Sequence, residues 1–204
     1  MKLVAVSAGL STPSSTRLLA DRLAESARGE LAAQGHDVDT EVIELRELAG
    51  AVANNLVTGF PSPPLAAVID MVTGAHGLIT VTPVFSGSYS GLFKSFFDLI
   101  DPDALTGKPV LVAATGGTAR HSLVLEHALR PLFAYLRAVV VPTAVYAASE
   151  DWGSGGDEYT EGLPARIRRA GGELATLMAA RPAEETPEGD ITALERQLSD
   201  LRFD

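Results

Sequence analysis

Short apolar runs and amphipathic segments alternate along almost the whole chain, and this alternation restricts the fold more than any other feature. Residues 3–7, 38–45, 77–81, 109–114 and 139–146 read as strands, the second mixed in polarity and so nearer an edge. Helical periodicity marks residues 16–34, 65–73, 92–100, 122–136 and 160–180, with a shorter helix over 46–55. Leu18, Leu19, Leu23 and Ala27 fall on one side of the first helix, and Gly35 stands where a C-terminal cap belongs. Five apolar strands separated by helices imply a parallel, doubly wound sheet with right-handed crossovers, since such strands must be covered on both faces. The expectation is one α/β domain over residues 1–180. The remaining tail, 181–204, is Pro/Glu-rich at first and then regains a short helical pattern over 191–203. Its Ile191, Leu194, Leu198 and Leu201 make one apolar face, which either packs on its own subunit or forms an oligomer contact.

Composition removes several classes of function. The 204 residues are 46% hydrophobic, enough for a sizeable core, yet no apolar run reaches the roughly 18 to 20 residues a membrane helix needs. The apolar start, Leu3-Val4-Ala5-Val6, is too short for a signal peptide and reads as a buried strand, so a cytoplasmic location is expected. The absence of cysteine excludes disulfides, thiolate metal sites and cysteine nucleophiles. The four histidines, at 36, 76, 121 and 127, lack metal-ligand spacing, and no Ser-His-Asp set is evident. A net charge of −10 without a basic cluster opposes binding to nucleic acid or an anionic membrane.

Three inter-element loops have unusual composition. The first, residues 7–17, carries Ser11, Ser14, Ser15 and Thr16 where a helix begins. A helix N-terminus offers free N–H donors and a partial positive charge, which favour a phosphate there. The same hydroxyls equally suit an N-cap, and Arg17 either adds charge or faces solvent. The loop has neither a Walker ending nor a Gly-x-Gly-x-x-Gly fingerprint, which argues against ATP and for a mononucleotide held by a terminal phosphate. The second loop follows the third strand: Pro83-Val84-Phe85-Ser86-Gly87-Ser88-Tyr89 sets small residues between two aromatics. It presents backbone N–H groups and flat side chains to a planar polar ligand, or else Phe85 and Tyr89 are ordinary packing residues. Lys94 and Asp98, four apart on the next helix, suit an ion pair. The third loop, Thr115-Gly116-Gly117-Thr118-Ala119-Arg120-His121, lets backbone approach a ring closely. His121 is either catalytic or a cap at a helix start, and Arg120 meets either a cofactor phosphate or solvent.

The central loop, the Gly-Gly loop and the continuation over 122–133 resemble the NAD(P)H-dependent FMN reductases, a flavodoxin-like family, and are similar to the subgroup that supplies reduced flavin to monooxygenases. The resemblance spans about residues 2–180. It implies a three-layer sandwich with a five-stranded parallel sheet of order 2-1-3-4-5, in which the loops after strands one, three and four converge. It further implies that Ser11, Ser14, Ser15, Thr16 and Arg17 lie at the FMN phosphate. Pro83, Val84, Phe85 and Ser86 would lie along the isoalloxazine ring, and Thr115, Gly116, Gly117 and His121 near its pyrimidine edge. An arginine common early in the family's first loop is missing between Leu10 and Pro13. The implied reaction is hydride transfer from NADPH or NADH to FMN, with no catalytic side chain and no metal. The implied partners are small-molecule substrates, a flavin-dependent monooxygenase, and further copies of the chain in a homodimer or homotetramer. Phe93, Phe96 and Phe97 are the expected subunit contact. The rivals on the same fold are a flavin-bound quinone or azo reductase and a flavodoxin-type electron carrier. A flavin-free nucleotide-binding module would explain only the first loop.

Overall fold

A computed structural model describes residues 1–153 and 162–181. The helical pattern at 191–203, the second half of the segment 149–157, whose acidic, Gly-rich composition reads as a flexible loop, and the first residues of the last helix lie outside the described residues. The chain runs β1 (Lys2–Ser7), α1 (Ser15–Ala33), β2 (Asp39–Glu44), α2 (Ala49–Thr58), α3 (Pro63–Thr73), β3 (Gly77–Phe85), β4 (Ser88–Tyr89), α4 (Gly91–Phe97), β5 (Pro109–Gly116), α5 (Arg130–Tyr135), β6 (Val139–Val140), β7 (Val145–Ala148) and α6 (Leu163–Ala180). The main sheet has the order β2-β1-β3-β5-β6, with β7 also paired to β5. With β5 as the fourth strand and β6 and β7 as two pieces of the fifth, this is the expected 2-1-3-4-5 parallel sheet.

Side-chain alternation along the central strands builds two cores. Val4 and Val6 of β1 enter the cluster under α2 and α4; Leu3 and Ala5 point into the cluster under α1 and α6. Leu19, Leu23 and Leu31 of α1 meet Ile167 and Leu174 of α6 over Ile79 and Leu111. On the other face, Phe97 touches three rings, at centroid distances of 4.7 Å to Phe93, 5.3 Å to Phe96 and 5.0 Å to Phe133. Phe93, Phe96 and Phe97 are all buried in their own subunit, which removes them as the expected subunit contact. Phe97→Ala is expected to cost about 3–5 kcal/mol of folding stability, measurable by urea unfolding.

Three elements depart from the sequence expectation. The third strand continues past Val81 to Phe85 and returns through β4 as an antiparallel hairpin. Ser86 (φ 49°) and Gly87 (φ 78°) both take left-handed backbone, the geometry of a two-residue type I′ hairpin turn. The fifth strand is broken between β6 and β7 at Pro142, which has no N–H to give a ladder. Side chains satisfy the interrupted backbone: Arg130 donates to the carbonyls of Val141 and Pro142, each at 3.0 Å, and Glu173 accepts the Thr143 N–H at 2.6 Å. The helix expected over 122–136 begins as a π turn, Leu125–Leu129, ahead of α5. Pro131 lacks an N–H and its ring crowds the carbonyl one turn back, a conflict the wider turn relieves.

Candidate functional site

The carboxyl ends of β1, β3 and β5 open into a cleft of about 470 Å³. That size suits a mononucleotide-sized ligand. Its first wall is Leu10, Ser11, Ser15 and Thr16. Ser14 is the N-cap of α1, its Oγ accepting the Arg17 N–H at 3.2 Å, so this hydroxyl serves the helix. The first backbone bond of α1 runs from the Leu18 N–H to the Ser14 carbonyl, leaving the Ser15 and Thr16 N–H groups at the open end of the helix. The loop reaches this position through a close approach at Gly9, where a Cβ would overlap the Ser14 hydroxyl. Arg17 does not border the cleft. Its Nε bonds Asp21 at 2.8 Å and its Nη1 meets Glu44 at 2.9 Å, and the Asp21 hydrogen bond leads the causes that raise its pKa.

Pro83, Val84 and Phe85, at the end of β3, form the second wall. Phe85 is 49% exposed, leaving a flat face available. Ser86 sits at the tip of the hairpin, away from the cleft lining. Thr115, Gly116 and Gly117 form the third wall. Thr115 and Thr16 share a hydroxyl–hydroxyl bond of 2.8 Å that ties the first and third walls together. A Cβ on Gly117 would meet nothing within 4 Å, so this residue leaves bare backbone beside open space. His121 ends the 3₁₀ turn Ala119–His121 and lines a neighbouring hollow of about 320 Å³ with Gly87, Arg120 and His127. Lys94 and Asp98 form the expected ion pair, at 2.5 Å.

The sequence reading missed a fourth wall. Ser149 and Trp152, in the 3₁₀ turn after β7, border the cleft, where an open flexible loop was expected. Asp151 fixes that turn by accepting the Ala148 N–H at 2.7 Å and pairing with Arg166 at 2.5 Å. The Arg166 Nη1 also donates to the Tyr146 carbonyl at 2.6 Å. Arg22 of α1 lies 5.2 Å from the Trp152 ring centre. Tyr146 lies behind the third wall and donates from its hydroxyl to the Thr118 carbonyl at 2.8 Å. Burial first, then Glu150 and Asp151, push its pKa up, which keeps that donor protonated. The signal for the fourth wall was available in principle, since the chain leaving the fifth strand emerges at the same sheet edge.

Among the described residues, no charged side chain lines the cleft. Hydroxyls and a helix N-terminus mark one end, exposed aromatic faces the other, and glycine backbone the floor. That donor set fits FMN. Among the described residues no group of three metal-ligating side chains exists, and no single helix is long and apolar enough to cross a membrane.

Strand order and the position of the cleft define a flavodoxin-like protein. The model of the NADPH-dependent FMN reductase family matches residues 1–153. An FMN reductase (NADPH) of Pseudomonas aeruginosa is 44% identical over 88% of this chain and 94% of its own. The NADH-dependent FMN reductase SfnF of Pseudomonas fluorescens is 41% identical over 87% of this chain and 91% of its own. Among solved structures, an oxidoreductase of Corynebacterium diphtheriae superimposes with a TM-score of 0.84 at 49% identity, covering 89% of this chain and 98% of that one. The chain belongs to the NADPH-dependent FMN reductase family.

Proposed function

We propose that this protein is a cytoplasmic NAD(P)H:FMN oxidoreductase that releases reduced FMN to a flavin-dependent monooxygenase. The observation that carries the reading is the convergence of the hydroxyl-rich, aromatic and Gly-Gly loops on one cleft. FMN, when bound, would supply the redox chemistry, as acceptor of the nicotinamide hydride of NADPH or NADH. The protein's part is geometric and electrostatic. Ser11, Ser15, Thr16 and the free N–H groups of α1 hold the phosphate and so fix the flavin's long axis. Pro83, Val84 and Phe85 form a wall along the ring, leaving one face open for the nicotinamide at a reacting distance of roughly 3 to 3.5 Å. Gly116 and Gly117 would bring bare backbone to the flavin, where N–H donors would favour the negative charge that reduction adds. No side chain has to donate or remove a proton in the hydride step. The related reductases include both an NADPH-dependent and an NADH-dependent enzyme, so either donor is compatible with the architecture. Assembly as a homodimer or homotetramer belongs to the same proposal.

The test is oxidation of NADPH and of NADH by flavin-stripped protein under air, without and then with FMN. Saturable turnover that requires added FMN is the expected result. Bound flavin that neither nicotinamide reduces would favour an electron carrier. Turnover that persists only with tightly bound flavin and a quinone or azo acceptor would favour the rival reductases.

A further inference from the structure

Among the described residues no cation lines the hydroxyl-rich end of the cleft, yet a cation stands directly behind it. Glu44 ends β2 in register with Ser7 of β1, which brings its carboxylate to the sheet edge from which the first loop leaves. This carboxylate holds two arginines, Arg17 of α1 at 2.9 Å and Arg46 at 3.1 Å. Arg46 then reaches across to the loop. Its Nη1 donates to the Ser11 carbonyl at 3.3 Å and to the Thr12 hydroxyl. Leu10, Ser11 and Thr12 are exposed, so no core packing fixes this outer wall. The Ser11 hydroxyl donates to the Pro13 carbonyl at 2.9 Å, a bond within the loop itself. Arg46 is therefore the side chain that ties the wall to the sheet. With Asp21 on Arg17, the cluster holds two positive and two negative charges, so an arriving phosphate dianion meets both arginines with their carboxylates already in place.

We propose that Arg46 is a positioning residue that makes the cleft select the phosphorylated flavin over riboflavin. The inference rests on the FMN reading above. Arg46 holds Ser11 at the cleft beside Ser15 and Thr16, and adds a positive charge behind that wall. The planar guanidinium suits this task because it meets Glu44, the Ser11 carbonyl and Thr12 at once; a lysine ammonium carries the charge without the fork.

The experiment is flavin-fluorescence titration of the full chain with FMN and, separately, riboflavin, at low and high salt. Wild type is expected to prefer FMN. Arg46→Ala is expected to raise the FMN Kd about tenfold and leave the riboflavin Kd within about twofold, with a weaker salt dependence for FMN. Arg46→Lys should recover part of the loss. Thr12→Val, which cuts the same tie from the loop side, should raise the FMN Kd about threefold. Equal weakening for both flavins, or an unchanged FMN-to-riboflavin ratio in Arg46→Ala, overturns the role of Arg46 while leaving the flavin reading intact. Wild-type protein that binds neither flavin overturns that reading and the proposal with it.

Discussion

Gly116→Val is expected to weaken FMN binding about a hundredfold, equivalent to roughly 3 kcal/mol, while His121→Ala leaves it within about twofold. Gly116 is the last residue of β5 and pairs with Ala148 of β7. A Cβ there would overlap the Tyr146 hydroxyl and stand 3.1 Å from the ring carbon that carries it. Tyr146 is buried and its hydroxyl anchors the Thr118 carbonyl, so it cannot yield without releasing the third wall. The side chain at 116 thus acts through Tyr146 on the loop, whereas His121 faces a different hollow. Two controls separate the effects. Gly117→Ala places a methyl in open space, so it should weaken FMN binding without lowering the melting temperature. In a Tyr146→Phe background, Gly116→Ala should cost less than in wild type, a coupling readable from a double-mutant cycle. Normal FMN affinity in Gly116→Val, or a large loss in His121→Ala, would sink the backbone-contact account.

The legible parts of this structure were those written in local periodicity. The run Leu3-Val4-Ala5-Val6 announces a strand buried on both faces, and its alternate residues do enter the two separate cores. Most of the errors share one cause: partners distant in sequence. Residues 139–146 look like one apolar strand despite Pro142, because nothing nearby shows that Arg130 and Glu173 will take up the freed backbone groups. Arg17 adjoins the hydroxyl loop in sequence, which drew attention from Asp21 four residues on, its partner on the helix surface. Glu44 on the neighbouring strand completes its neutralisation, and no local pattern reveals that. Phe93, Phe96 and Phe97 occupy helical spacing that serves a core as readily as an interface, and the sheet beneath α4 decides for the core. The Ser86-Gly87 pair carried a turn signal that was read as open loop, although the flanking residues pair as a hairpin. Arg46 had no motif to mark it, since its role depends on β2 lying beside β1.

The bond between Thr16 and Thr115 yields a prediction in which stability and affinity part company. The two residues are 99 apart in sequence, their hydroxyl oxygens lie 2.8 Å apart, and both are almost fully buried where they border the cleft. The pair has two hydroxyl protons and spends one on itself, so the other remains available to a ligand. Thr16→Val or Thr115→Val alone strands the surviving hydroxyl in a buried site, and each is expected to cost about 1–3 kcal/mol of stability. The double variant strands nothing. It should return to within about 1 kcal/mol of wild type, since removing both partners of a buried hydrogen bond is close to neutral. FMN affinity should not return with it, because the double variant has lost both donors, and a Kd raised about tenfold is expected. Urea unfolding gives the first quantity and flavin titration the second. A double variant as unstable as the sum of the singles, yet with wild-type FMN affinity, would make the pair a structural tie between α1 and β5 and remove both hydroxyls from the phosphate site.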